Sequence, residues 1–516
     1  MASVESVRIA RNFRRGNREK ERAMERQRKA RLAAALGAIV GQDGVITEED
    51  ELRVYECDGL TIFKALPELV VLPRTAEQVE AAVRLCYRER VHVVPRGAGT
   101  GLSGGALALE GGVLIGLNRM SHILEVDVPN HRAVVQAGMV NVWLTNKIAG
   151  DNFYYAPDPA SQTACTIGGN VAENAGGVHT LKYGVTTNHV LGLEIVLPDG
   201  EVVEFGGKAL DPPGYDLTGV FVGSEGTFGI CTAVTLRILP KPEAVKTLMG
   251  VFETIDDASN TVSAIVAAGI IPACLEMMDS LSIQAVEQGI RAGLPTDAGA
   301  VLLVELDGPR AEVEALVEPV SRLMRQNKVR EIRIAKDEAE RLLLWKGRKA
   351  AFAAMGQISP DCYLQDAVIP RTRLPQILHE IAVLSQEYGL RVANVFHAGD
   401  GNLHPMILYD GRNEAELHRA EELGGKIMQR CIELGGSITG EHGVGREKRD
   451  YMPLMYTEAD LEAMRKVRQV FNPDGLMNPG KIFPTSKSCV EVGAGGRDRI
   501  GYRPHRLEVM GLAQRF

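Results

Sequence analysis

No Cys-x-x-Cys pair occurs anywhere in this 516-residue chain, and its eight cysteines are scattered. That excludes the ligand framework of an iron–sulfur cluster or a Cys-rich zinc site within the chain, and it argues for a reducing compartment. No run of about 18 apolar residues is present, so no membrane-spanning helix is expected. Nor is there a general excess of positive charge. The formal net charge is −8, which gives no reason to expect nucleic-acid binding. Hydrophobic residues make up 45% and charged residues 24%, ordinary for a globular protein. A chain this long exceeds a single core, so two or three domains are expected.

The N-terminus departs from that balance. Residues 1–32 carry 11 Lys/Arg against four Glu, a net +7, with few large apolar groups. The apolar core of a secretory signal is missing, since Leu32–Val40 is short and rich in Ala and Gly. The four glutamates disfavour a transit peptide. The expectation is a solvated basic helix or disordered arm, with docking to a membrane surface or a partner as the alternative.

From Leu69 an α/β pattern begins: a strand at Val70–Pro73, a helix over 75–88 capped by Thr75, and a strand at Val91–Val94. Then comes Pro95-Arg96-Gly97-Ala98-Gly99-Thr100-Gly101-Leu102-Ser103-Gly104-Gly105, five glycines in eleven residues. Without Cβ atoms in the way, backbone N–H groups can turn inward around an anion. Gly99, Gly101 and Gly104 match the G-x-G-x-x-G spacing, but a Rossmann loop opens a helix. This one leads to Ala106–Leu109 and a strand-like Gly111–Ile115, so the dinucleotide fingerprint is set aside and the phosphate cradle kept. Further glycine-rich segments follow at Pro157–Gln162, Thr166–Asn170, Asn174–Gly177 and Gly223–Ile230. Spread over about 130 residues, they suggest a backbone-lined groove of dinucleotide length. Pro240-Lys241-Pro242 is the expected domain boundary. Beyond it, strands at 251–253, 272–278 and 301–306 alternate with helical stretches, implying a second α/β or α+β domain. Ser280–Gly293 reads as an ordinary amphipathic helix, and nothing there looks catalytic.

Two histidines stand out in His397-Ala398-Gly399-Asp400-Gly401-Asn402-Leu403-His404, which lies between the strand-like runs Val392–Phe396 and Pro405–Leu408. Asp-Gly between such runs predicts a two-residue hairpin turn. That register sets His397 directly opposite His404, with Cβ atoms roughly 5 Å apart. Two imidazoles so placed can share a metal ion, or can simply bond backbone and solvent. Glu441-His442, in the glycine-rich loop Thr439–Arg446, could complete the set. Two histidines and one carboxylate leave an open coordination position, as catalytic metals require. Trp345-Lys346-Gly347-Arg348-Lys349 ends a helical stretch and on its own would be a solvated basic face.

Together these motifs, in this order over roughly residues 50–485, resemble flavoproteins of the vanillyl-alcohol-oxidase type. The branch is that of D-2-hydroxy-acid dehydrogenases, which includes D-lactate and D-2-hydroxyglutarate dehydrogenases and the FAD-binding subunit of bacterial glycolate oxidase. The resemblance implies an α+β protein with a basic arm (1–45), a two-part FAD-binding domain (46–241), an α/β substrate (cap) and metal domain (242–485), and a tail (486–516). The stretch Phe471–Lys481 resembles the family's C-terminal helical return to the flavin. FAD is expected to be non-covalent, because the glycine loop has no His for attachment.

The residues implied for the cofactor are Pro95, Arg96, Gly97, Ala98, Gly99, Thr100, Gly101, Ser103 and Gly104 in the first loop. To these are added Pro157, Asp158, Ser161, Thr166, Gly168, Gly169, Asn174, Gly176, Gly177, Gly226, Ile230 and Asn478. By the same resemblance Arg348 binds the substrate carboxylate. His397, His404 and Glu441 hold a divalent metal (zinc first, manganese or iron(II) otherwise), and His442 is the base. The implied activity is oxidation of a short 2-hydroxy acid, glycolate or D-lactate. Phe352 and Leu364 stand where relatives acting on a five-carbon diacid carry polar or cationic groups, while Lys349 argues the other way. Electrons would leave to iron–sulfur and second flavoprotein subunits, or to another acceptor. The expected place is the cytoplasm, or the inner face of the membrane as a peripheral protein. The alternatives are a D-2-hydroxyglutarate dehydrogenase and a flavin transferase of the alkyl-dihydroxyacetone-phosphate-synthase kind.

Overall fold

A computed structural model describes residues 24–210 and 213–484. The arm up to residue 23 and the tail from 486 lie outside the described residues. Three sheets carry the fold. The first has four strands, β1 (Val45–Ile46), β2 (Leu69–Val71), β3 (Val93–Arg96) and β4 (Val113–Gly116), in the order β1-β2-β4-β3. Strands β2, β3 and β4 run parallel. Their crossover helix α1 (Ala76–Arg88) starts where Thr75 accepts the Gln78 N–H. It buries Val79, Ala82, Val83 and Cys86, one stripe at helical spacing.

The second sheet is antiparallel. Its strands are β5 (Ile123–Asp127), β6 (Arg132–Gln136), β7 (Val190–Val196), β8 (Val202–Gly206) and β9 (Ile230–Arg237), in the order β5-β6-β9-β7-β8. Both sheets pack into one core that includes Val71, Ile115, Val135, Ile195 and Val234. Leu32, Leu36 and Val40 belong to the same core, because residues 24–40 are helical. The described part of the basic arm is thus a helix whose C-terminal half packs on the core. Charged residues face outward from this helix, but three apolar side chains at i, i+4 and i+8 anchor it.

Strand Leu239–Pro240 still pairs with Phe153–Tyr154, and the third sheet opens at Ala244. That sheet comprises β10 (Ala244–Phe252), β11 (Cys274–Asp279), β12 (Ala300–Gly308), β13 (Glu331–Ile334), β14 (Asp361–Leu364), β15 (Val392–His397) and β16 (Asn402–Tyr409). The order is β13-β10-β12-β11-β15-β16-β14, with Ala367–Val368 added to β16. Every pairing is antiparallel, so the second unit adopts the α+β form of the two arrangements expected.

Alternation decides what each face of this sheet meets. Leu248, Leu275, Met277, Leu302, Val304, Phe396 and Leu403 point to one side. There helices α2 (Ile255–Ala267), α3 (Arg310–Gln326), α4 (Leu374–Tyr388) and α5 (Glu414–Glu433) cover them. The residues between them, Met249, Val251, Met278, Val301, Leu303, Val395 and Met406, point the other way, against a smaller apolar cluster. Finally, a helix over Glu458–Phe471 leads the chain back to the first sheet. There Asn478 N–H donates to the Val93 carbonyl and Val93 N–H to that of Leu476, at 2.8 and 2.9 Å. This is the C-terminal return anticipated from sequence.

Candidate active site

The less covered face of the third sheet carries the chemistry. In its register Glu305 lies opposite Cys274, Glu276 opposite His397, Val395 opposite His404, and Met406 opposite Leu364. Opposed residues share a face, as do residues two apart on one strand. Glu276, His397 and His404 are therefore neighbours by construction. The predicted two-residue hairpin is corrected. His397 pairs with Asn402, and the connection is the four residues Ala398–Gly401. Asp400 does not take the positive φ that a type I′ turn needs at both centres; among the loop residues only Gly401 does. Asp400 instead accepts the Asn402 N–H at 3.1 Å. The histidines are thus diagonal neighbours, not opposed ones, yet still on one face. Their ring centres lie 5.1 Å apart.

Glu441 closes the group from a different segment. Its Oε1 is 3.2 Å from His397 Nε2 and 3.4 Å from His404 Nε2. His404 Nε2 makes no hydrogen bond among the described residues despite being buried. Three donor atoms converging on one point, one of them orphaned, fit a divalent ion. On the far side of His397, Nδ1 lies 2.8 Å from Glu276 Oε1, the carboxylate–histidine arrangement that orients metal-binding imidazoles. Burial alone would lower the His397 pKa, but the Glu276 and Glu441 carboxylates outweigh it and hold it well above the ordinary value. Burial likewise works against the Glu441 anion, yet His397 beside it brings its pKa down to about 2. The His442 ring stacks on His404 with centres 5.1 Å apart. Burial pushes its pKa down to about 4, so the His442 ring is neutral near pH 7.

Arg348 reaches this group from the helix Glu338–Lys349. The helix is pinned to the sheet by Glu305, whose Oε2 accepts from Trp345 Nε1 at 2.6 Å and from Arg341 at 3.2 Å. One turn beyond Trp345, buried Arg348 pairs with Glu276 Oε2 at 2.6 Å. Its Nε has no hydrogen-bond partner among the described residues. This explains why a Trp-x-x-Arg spacing matters: the indole fixes the helix, and three residues later the guanidinium falls beside the histidines.

These groups line one end of a cavity of about 630 Å³, and the glycine loop after β3 lines the other. Of the residues anticipated for the cofactor, Pro95, Arg96, Gly97, Ala98, Gly99, Thr100, Gly101, Ser161, Thr166, Gly168, Gly169, Gly226 and Ile230 are in its wall, as are Arg348, His397, His404, Glu441 and His442. The chain fits FAD there on two counts. Gly101 has nothing within 4 Å of where a Cβ would stand, which leaves bare backbone facing the space. Buried Arg96 also has an Nη1 without a partner among the described residues, as a diphosphate requires.

The other anticipated residues stand behind the wall. The Ser103 carbonyl accepts the Arg446 and Glu447 N–H groups, and Gly104 packs close to Arg446. The Pro157 carbonyl accepts from Asn141. Asp158 pairs with Lys349 and His179. Asn174 accepts the Thr187 N–H. Gly176 makes room for Glu441, whose Oε2 would lie 2.7 Å from a Cβ, and Gly177 for the backbone of Asp158. Asn478 donates to the carbonyls of Gly105 and Glu225. These eight shape the wall from outside it.

With that geometry in view, the relatives of the chain are informative. A profile of the C-terminal domain of FAD linked oxidases matches residues 241–482, and an FAD binding domain profile matches residues 67–206. Over 450 residues the chain is 52% identical to the glycolate oxidase subunit GlcD of Escherichia coli strain K12, covering 87% of this chain and 90% of that one. The chain belongs to the FAD-linked oxidase family. D-lactate dehydrogenase of Anaerostipes hadrus is 34% identical over 445 residues, 84% of this chain and 91% of that one. Among solved structures, p-cresol methylhydroxylase with substrate bound superimposes with a TM-score of 0.75 at 18% identity, covering 88% of this chain and 96% of that one. Alkyldihydroxyacetonephosphate synthase gives 0.69 at 19%, over 87% and 85%. At such identities these two establish the two-part architecture alone.

Several residues of this FAD-linked oxidase site escape sequence reading. Glu276 sits in an apolar strand, 121 residues before its partner His397. Asp366, without exposure, accepts from Thr439 Oγ1 (2.6 Å), Gly440 N–H (2.9 Å), His442 N–H (3.0 Å) and Lys448 Nζ (3.1 Å). It thereby holds the loop bearing Glu441 and His442. Glu225 receives the Val444 and Gly445 N–H groups, each at 2.7 Å. For Glu276 the one signal is a charge inside an otherwise apolar run, Cys274–Met278, which calls for a buried partner.

Proposed function

We propose that this chain oxidises a short 2-hydroxy acid, glycolate or D-lactate, to the corresponding 2-oxo acid, with non-covalent FAD as electron acceptor. The observation that carries the reading is the meeting of Arg348, His397, His404, Glu441 and His442 at one end of the cavity that the glycine loop lines. The free Nε of Arg348 is available to a carboxylate oxygen, and the planar fork suits that partner better than a point charge. His442, neutral and half-buried, takes the hydroxyl proton. Phe352, Leu364, Val395 and Met406 line the same cavity; they exclude water and leave room for a small substituent. Bound FAD supplies a two-electron acceptor, and a divalent ion on His397, His404 and Glu441 supplies a Lewis acid beside the substrate oxygens. Two imidazoles and a carboxylate suit zinc, with manganese or iron(II) as the other candidates.

The reading assigns residues 46–241 to FAD and 242–485 to substrate and metal. Electrons pass outward to a separate acceptor, iron–sulfur and second flavoprotein subunits among the possibilities. In support, the 52% identical relative is itself named a subunit, and no described helix is long and apolar enough to cross a membrane. A cytoplasmic place, or a peripheral one at the inner membrane face, accords with the seven free cysteines among the described residues.

The test is anaerobic mixing of the FAD-loaded protein with glycolate, D-lactate, L-lactate and D-2-hydroxyglutarate, following flavin bleaching. Fast bleaching by glycolate or D-lactate is expected. A preference for D-2-hydroxyglutarate would move the chain to the diacid dehydrogenases. No bleaching by any of the four would favour the transferase alternative and overturn the reading.

A further inference from the structure

Beside Arg348 the cavity wall holds a second cation, Lys349. A free ammonium in that place would be a ready subsite for the far carboxylate of a diacid. It is not free. Lys349 Nζ lies 3.1 Å from Asp158 Oδ2, and Asp158, 8% exposed, is itself kept out of the wall. The carboxylate is clamped from behind, since Gly177 packs against its backbone and its Oδ1 accepts the His179 N–H. His179 Nδ1 is also 3.1 Å from Asp158 Oδ2. That imidazole has a second anion, with Nε2 lying 3.5 Å from Glu305 Oε1. Lys349 has no other ion-pair partner among the described residues.

We propose that Asp158 is a specificity-determining residue: by occupying Lys349 it withholds a second carboxylate-binding site and confines the enzyme to monocarboxylic 2-hydroxy acids. The inference rests on the reading of the cavity as a 2-hydroxy-acid site. It accounts for a cation beside the substrate pocket without a diacid substrate, and for an anticipated cofactor residue that stands behind the wall. The asymmetry of the network gives the sign. Removing the charge of Asp158 leaves His179 its Glu305 and leaves Lys349 nothing, so the freed charge is the one that faces the cavity. An approaching distal carboxylate then takes the place of Asp158.

The experiment compares FAD-loaded wild type, Asp158→Asn, Asp158→Ser and the double variant Asp158→Asn/Lys349→Met on glycolate, D-lactate and D-2-hydroxyglutarate. The ratio of kcat/KM for D-2-hydroxyglutarate over glycolate is expected to rise about tenfold or more in either single variant, the scale of one hydrogen bond to a charged group. It should fall back in the double variant. An unchanged ratio in the single variants, or an equal rise in the double variant, overturns the proposal. So does a loss of FAD from both single variants, which would make Asp158 a support of the cofactor segment. Wild type that oxidises neither glycolate nor D-lactate defeats the underlying reading instead, so the two failures are distinguishable.

Discussion

Asp366 and His442 illustrate what single side chains contribute here. His442 is stacked, half-buried and neutral, and its replacement by Ala removes the base without touching the glycine loop. The flavin-reduction rate should fall by roughly 10²–10⁴ while FAD content, read from flavin absorbance, stays the same. Asp366 acts at one remove, through the backbone of residues 439–442. Asp366→Ala leaves buried Lys448 with only the Glu447 carboxylate, 4.0 Å away, which should cost up to about 3 kcal/mol in urea unfolding. Asp366→Asn keeps an acceptor for the backbone and should restore part of the turnover without restoring all of the stability. The hairpin pattern points to His397 and His404 and the glycine-rich loop to Glu441 and His442, whereas Arg348 is legible only through the resemblance to the family. The sequence hid Glu276 and Asp366, whose meaning depends on partners 121 and 76 residues away.

At the scale of elements, α1 with its Thr75 cap and the strands around it follow directly from local periodicity. The hairpin register does not, because Asp-Gly serves equally at the centre of a two-residue turn or at the end of a four-residue one, and only packing chooses. Here Gly401 presses against the carbonyl of Ile369, where a Cβ would lie 2.1 Å away, and that contact fixes the longer loop. The C-terminal return offers a pH test. Lys481 donates to the Leu107 carbonyl at 2.6 Å and to Asn478 at 2.9 Å. Burial, partly offset by Glu225 and Asp58, lowers its pKa to about 7. Between that value and its ordinary one, the unfolded chain holds a proton that the folded chain has released, so stability rises with pH over this window. The slope is at most roughly 1.4 kcal/mol per unit. Urea unfolding at pH 7 and pH 9.5 should show wild type gaining on Lys481→Met as pH increases; a constant difference would contradict the buried-amine account.

For the whole molecule, alternating strands and helices made two domains and their class readable. The way they close on each other was not readable, since a cavity wall contributed by residues 58, 226, 348 and 441 has no local signature. If the cluster of His397, His404 and Glu441 holds a metal, prolonged chelation should abolish hydroxy-acid oxidation while leaving the visible flavin spectrum in place. Added zinc, manganese or iron(II) should then restore it, which metal analysis and single-turnover bleaching on the same sample would check. The third sheet bears on how such a site can change over time. Glu276, His397 and His404 meet because each occupies the same parity along its strand. Deleting one of residues 392–395 would send His397 into the helix-covered core and turn Phe396 to the cavity. Deletion of two would keep the parity. Within these strands, descendants of this enzyme can therefore keep Glu276, His397 and His404 on one face only if length changes in even steps.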